Sequence, residues 1–283
     1  MKNIDFNRLL LTIKWDTVSN WKLSLRTTLS ITLGLLCIFA VDTLQTKDLG
    51  DNPEYSISHI SSVAAIISFP AVLFMSICAS MIFATMKTKQ QRISLLMQPA
   101  SNMEKFIAKM LYSTVGAAII FLVALFAADL LRVLADFTLN QRYMGLVSVE
   151  FLRNTFTFSH NIVYFNIETS KSISDTASWL LVAEIVTAGY MAFFLGGTFF
   201  RRQPWVWTMG LIFIAVYTTG YIFASLDITP LVHNIFFRHS PISPTTLFIL
   251  ADIVFAAVIA FEVWASYKLF CRMQVINNKF TNL

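Results

Sequence analysis

Six apolar stretches, each about 20 or more residues long, dominate this 283-residue chain. A helix of that length rises about 30 Å, enough to cross the hydrocarbon core of a bilayer. The runs are Thr27 to Thr46, Ser61 to Met86, Ile107 to Leu131, Ala177 to Phe200, Trp205 to Leu226 and Leu247 to Phe270. At membrane depth a helix satisfies its own backbone polar groups, so the chain is expected to be an all-α integral membrane protein with six transmembrane helices. With 56% hydrophobic and only 13% charged residues, it leaves no room for a sizeable soluble domain, and 1–283 reads as one transmembrane domain.

The net charge of +5 marks topology and does not suggest a nucleic-acid partner. With both termini inside, 15 of the 21 basic residues fall on the cytoplasmic side, and Lys47, Arg132, Arg142, Arg153, Lys171 and Arg238 are left outside. The positive-inside rule therefore favours a multi-pass chain with both termini cytoplasmic. Cys37, Cys78 and Cys271 lie in or next to spans, so no disulfide is expected. The first span lacks the small-residue cleavage pattern of a signal peptide and reads as a retained anchor.

Ahead of that span, Phe6, Leu9, Leu10, Ile13, Thr17 and Trp21 recur at helical spacing, opposite Asp5, Arg8, Thr12, Asp16 and Ser19. Residues 1–26 are thus expected to form an amphipathic helix in the inner membrane interface, although Trp15 departs from the pattern. Pro70, inside the second run, is a candidate kink.

The most informative polar segment is 87–106. Arg92 to Met97 places Ile93, Leu96 and Met97 on one side of a short helical turn, and Pro99 ends it because proline disfavours helical geometry in the residue before it. Ser101 and Glu104 then have the spacing of a capping box, which starts a new helix running into the third span. An exposed helix with a few apolar residues is what a partner protein can grip, but the segment also suits an ordinary reversal between two spans.

Met97, Gln98, Pro99, Ala100, Ser101, Asn102, Met103, Glu104, Lys105 and Phe106, in their six-span setting, resemble the permease subunits of bacterial type-2 ATP-binding-cassette exporters. The tail from Tyr267 to Ile276 is similar to the short basic end of bacterial members. The resemblance implies that 87–106 is a cytoplasmic coupling segment docking on a separate ATPase subunit through Arg92, Ile93, Leu96, Met97, Pro99, Ser101 and Glu104. It also implies a homodimer or heterodimer of permeases in the bacterial inner membrane, with substrate passing along the dimer interface. The acidic and Gly-Thr residues frequent before the family's coupling helix are replaced by Lys87 to Arg92, and Gln98 stands where leucine is common.

Two outer segments complete the chain. The aromatic content of 135–175, including Phe151, Phe156, Phe158, Tyr164 and Phe165, argues for packing on the membrane surface or on the spans. In 227–246, Thr229 and Pro230 read as a cap and first turn ahead of Leu231, Val232, Ile235, Phe236 and Phe237. By the resemblance, this segment is a candidate outer gate through Pro230, Phe236 and Phe237; as a plain interfacial loop it needs no function.

No phosphate loop appears, so ATP hydrolysis is expected in a partner. No other catalytic motif appears either, and the chain is expected to be neither an enzyme nor a carrier of a cofactor. Ionisable residues at membrane depth are costly and point to function. Glu184, Asp252 and Glu262 form a candidate intramembrane polar site, for substrate, for a proton or simply for hydrogen bonds to neighbouring helices. Asp129 and Arg132, three residues apart, are a candidate structural ion pair. His59, His160, His233 and His239 show no metal-ligand spacing. The competing readings are a secondary transporter or channel working without an ATPase, a membrane-embedded enzyme, and a membrane scaffold.

Overall fold

The computed structural model describes residues 5–46, 53–83, 89–138, 145–164, 175–225 and 244–272. They form nine α-helices: α1 Phe6–Thr46, α2 Pro53–Ser80, α3 Lys89–Leu96, α4 Asn102–Leu111, α5 Ala117–Thr138, α6 Val147–Tyr164, α7 Asp175–Phe199, α8 Pro204–Ser225 and α9 Pro244–Arg272. A single π turn, Tyr112–Gly116, joins α4 to α5 as one continuous rod. Six helices are long and apolar enough to cross a bilayer. The chain is a multi-pass, all-helical membrane protein.

Contacts divide the chain into two units. The first holds α1, most of α2, the α4–α5 rod and the start of α6. Its core includes Leu35, Phe39, Ile60, Val63, Ala64, Ile67, Phe121, Leu125, Ala128, Val147 and Phe151. The alanines let helix backbones approach closely, which matters where lipid removes any hydrophobic drive between helices. Asn154 donates to the Ser61 hydroxyl at 3.2 Å, and Phe151 packs 5.9 Å from Phe121, so the start of α6 lies on the spans.

Within this unit α1 differs from expectation in two ways. It is one helix of 41 residues, with no boundary near Arg26 between an interfacial and a spanning part. Its packed stripe is Thr12, Asp16, Asn20, Ser24, Thr28, Thr32, Leu35 and Phe39, while Phe6, Leu10 and Trp21 on the apolar side are 69%, 48% and 54% exposed. The polar side is the inner one because α4 meets it with polar partners. Asp16 accepts from Lys109 Nζ at 2.7 Å, and the Ser24 and Tyr112 hydroxyls lie 2.8 Å apart. Residue numbers rise together along both helices, from Asp5 at Glu104 to Phe39 at Arg132, so α1 and the α4–α5 rod run parallel. At 1.5 Å per residue α1 is about 60 Å long, twice the hydrocarbon thickness.

α2 continues through Pro70 and ends at Ser80, six residues before the expected limit. The apolar run persists beyond it, but Ile82 and Phe83 follow in a turn, with Phe83 stacked on Phe270 at 5.4 Å. Apolarity alone does not distinguish a helix end from a turn that is itself buried. α5, by contrast, outruns its apolar stretch to Thr138, since Arg132 and Asp136 on its extra turns are buried, not exposed.

The second unit holds Ala79 to Pro99 and everything from Phe158 onwards. α9 packs along α7, and α7 turns back into α8 through Phe200 to Gln203. Gly196 and Gly197 make the close approaches: a methyl at Gly196 would collide with the Thr208 side chain, and one at Gly197 with the backbone carbonyl of Ser80. Most of α8 is exposed, which suits a helix facing lipid.

Candidate functional site

The segment from α3 to α4 is the first candidate. Within α3, Leu95 is buried at 3% exposure, whereas Ile93 is 37% and Met97 79% exposed. Ile93 and Met97 are four residues apart and share a helical side, while Leu95 lies about 200° round from Ile93. Leu95 thus anchors α3 and leaves an apolar edge outward, a division that the short spacing pattern does not reveal. For Arg92 and Leu96 the backbone alone is described. Gln98, just past α3, has both amide atoms buried without a hydrogen-bond partner.

Pro99 and Ala100 lead directly to the start of α4. Ser101 Oγ accepts from the Glu104 N–H at 3.2 Å, and Glu104 Oε2 accepts from the Ser101 N–H at 2.7 Å, closing a reciprocal capping box. Glu104 is fully buried, with its second oxygen accepting from the Asp5 N–H at 3.0 Å and lying 3.5 Å from Arg8 Nη2. Its carboxylate therefore ties the start of α1 to the start of α4 and presents nothing to a docking partner. Asp16 and Lys109 continue this tie further along both helices. Sequence reasoning missed that pair because each residue counts separately as a charge; the lone lysine just inside an apolar run was the available signal.

A second cluster closes the far end of the first unit. Arg132 Nη2 lies 3.1 Å from Asp129 Oδ1, and both residues are buried. Asp129 Oδ2 accepts from the Ser148 N–H at 2.9 Å and from its hydroxyl at 2.7 Å, while Arg132 donates to the Gly145 carbonyl and covers the Phe39 ring. Gly145 has φ +114, a conformation that side chains resist, so glycine suits the point where its carbonyl turns to the guanidinium. Asp42 on α1 and His59 on α2, in the same unit, pair at 3.2 Å. The contacts of Asp129 to Ser148 and of Arg132 to Gly145 make this cluster a clamp on the α5 to α6 turn.

The three membrane acids lie in the second unit, Glu184 on α7 and Asp252 and Glu262 on α9. Asp252 is 8% exposed, and each of the three has a buried carboxylate oxygen without a hydrogen-bond partner. Pro230, Phe236 and Phe237 lie outside the described residues, as do Phe165, His233, His239 and the tail beyond Arg272. Among the described residues, no group of three His, Cys, Asp or Glu side chains is placed to hold a metal ion.

Comparison with known proteins finds no matching family, no similar curated protein and no similar solved structure. Function must accordingly be argued from the residues and their geometry.

Proposed function

We propose that this chain is the transmembrane permease subunit of an ATP-binding-cassette transporter, working in export as a dimer in a bacterial inner membrane and driven by a separate cytoplasmic ATPase. The observation that carries this reading is the α3 to α4 step. There an exposed apolar edge, Ile93 and Met97, precedes a capped helix that runs without interruption into a membrane-crossing rod. A partner gripping that edge would act on the chain just ahead of α4, whose capping box resists unwinding at its start. ATP would drive transport only by favouring one arrangement of the helices over another.

The test is affinity purification of the chain and of a variant carrying Ile93→Asp, Leu96→Asp and Met97→Asp, with mass spectrometry of what accompanies each. A phosphate-loop ATPase is expected with the wild-type chain and absent with the variant, at equal membrane insertion. No ATPase with either chain, in an otherwise intact complex, would favour a transporter or scaffold that needs none.

A further inference from the structure

Three buried carboxylates of the first unit each have a basic partner, although Asp16 Oδ2 is left without a hydrogen bond. Asp16 meets Lys109, Asp129 meets Arg132 and Ser148, and Glu104 meets backbone N–H groups and Arg8. The three acids of α7 and α9 have no such basic partner among the ion pairs of the described residues. Asp252 Oδ1, Glu184 Oε2 and Glu262 Oε2 are each buried with no hydrogen-bond partner, and so is the hydroxyl of Ser266, whose residue is 0% exposed.

These groups lie on the less exposed faces of two helices that pack along each other. The less exposed face of α9 runs through Asp252, Phe255, Ile259, Glu262, Ser266 and Phe270, at steps of three or four, and α7 is the helix packed along it. Glu184 lies on the corresponding face of α7, followed by Ala188 and Met191. The opposite side of α9, with Ile253, Val254 and Phe261, is exposed and suits lipid. With the single crossing of α8 between them, α7 and α9 run in the same direction, so Glu184 and Asp252 enter at similar depth. Glu262 follows ten residues, about 15 Å, further along.

No residue of α7 or α8 is basic, and on α9 the first basic residue is Lys268, which is exposed and sits over the Trp264 ring. Along α7, α8 and α9 ahead of Lys268 the seam therefore offers oxygen atoms and apolar side chains and no basic residue. An acid at membrane depth either keeps its proton or takes a counter-charge, and an ionised oxygen without a donor is completed by an N–H or O–H.

We propose that the α7–α9 seam is a binding site for an amphiphilic organic cation, a protonated amine whose N–H groups meet Asp252 and Glu184 while its apolar part lies along Phe255 and Ile259. Glu262 and Ser266 supply the next oxygens along its path. This gives the permease reading a substrate class and depends on that reading for transport, but not for binding.

The test is thermal unfolding of the purified full-length chain with increasing hexylammonium, using 1-hexanol as the neutral control, because a ligand held by the folded state alone raises the melting temperature. Hexylammonium is expected to stabilise and hexanol is not. Asp252→Asn should weaken the apparent Kd about tenfold or more, and Glu184→Gln should weaken it less. Should Asp252→Asn fail to fold, Asp252→Glu is expected to keep the shift that Glu184→Gln diminishes. Equal stabilisation by the alcohol, or an amine effect unchanged by neutralising either acid, would overturn the proposal. The assay contains no ATPase, so its failure leaves the coupling reading standing, and loss of the ATPase leaves the site standing.

Discussion

Removing the Asp16 carboxylate is the sharpest test of how α1 is held. Asp16 and Lys109 are 1% and 3% exposed and 2.7 Å apart, and they join α1 to α4 across a face that sequence patterning places outward. Asp16→Ala leaves an ammonium group buried without its counter-charge, a loss of about 3–5 kcal/mol for pairs of this kind. Asp16→Leu together with Lys109→Met removes both charges while keeping comparable volume, and the same physics places that double variant within about 1 kcal/mol of the wild-type chain, or above it. At about 4 °C per kcal/mol for a unit of this size, the single variant should melt about 12–20 °C lower and the double variant near the original temperature. Intrinsic fluorescence during heating of purified protein in one detergent, at one scan rate, measures all three chains, and Trp15 and Trp21 on α1 report locally. If the single variant melted with the double, the pair would be hydrated and the inward polar face of α1 would be refuted.

Two further outcomes follow from the packing. Gly197→Ala would drive a methyl into the Ser80 carbonyl and should destabilise the second unit by about 1–3 kcal/mol or more, whereas Gly189→Ala, which has open space, should be near neutral; melting temperatures of the two variants decide it. Arg132→Lys should recover only part of the stability lost in Arg132→Ala, about 3–5 kcal/mol, because one ammonium cannot reproduce the forked contacts to Asp129 and the Gly145 carbonyl; parallel unfolding of both variants checks it.

Several features were legible before any coordinates. Runs of 20 apolar residues admit few structures in a bilayer, so six crossing helices follow from composition and length. The start of α4 was legible too, because a capping box is a local agreement between Ser101 and Glu104, three residues apart. What Glu104 does beyond its cap was not, since Asp5 and Arg8 reach it from about a hundred residues away.

Helix ends and helix faces were decided by tertiary structure. α2 stops within an apolar run because Phe83 finds Phe270, and α5 continues past Leu131 because Arg132 finds Asp129 and the turn into α6. The face of α1 reversed for the same reason. Periodicity shows that a helix has a polar and an apolar side, but which side turns inward depends on the neighbour and the solvent. Here α4 offers Lys109 and Tyr112, so the polar side is packed and the apolar side is left outward. The acids of α7 and α9 divide in the same way. Their presence at membrane depth is a property of the sequence alone, but the burial of their oxygens without a hydrogen-bond partner exists only once the helices pack.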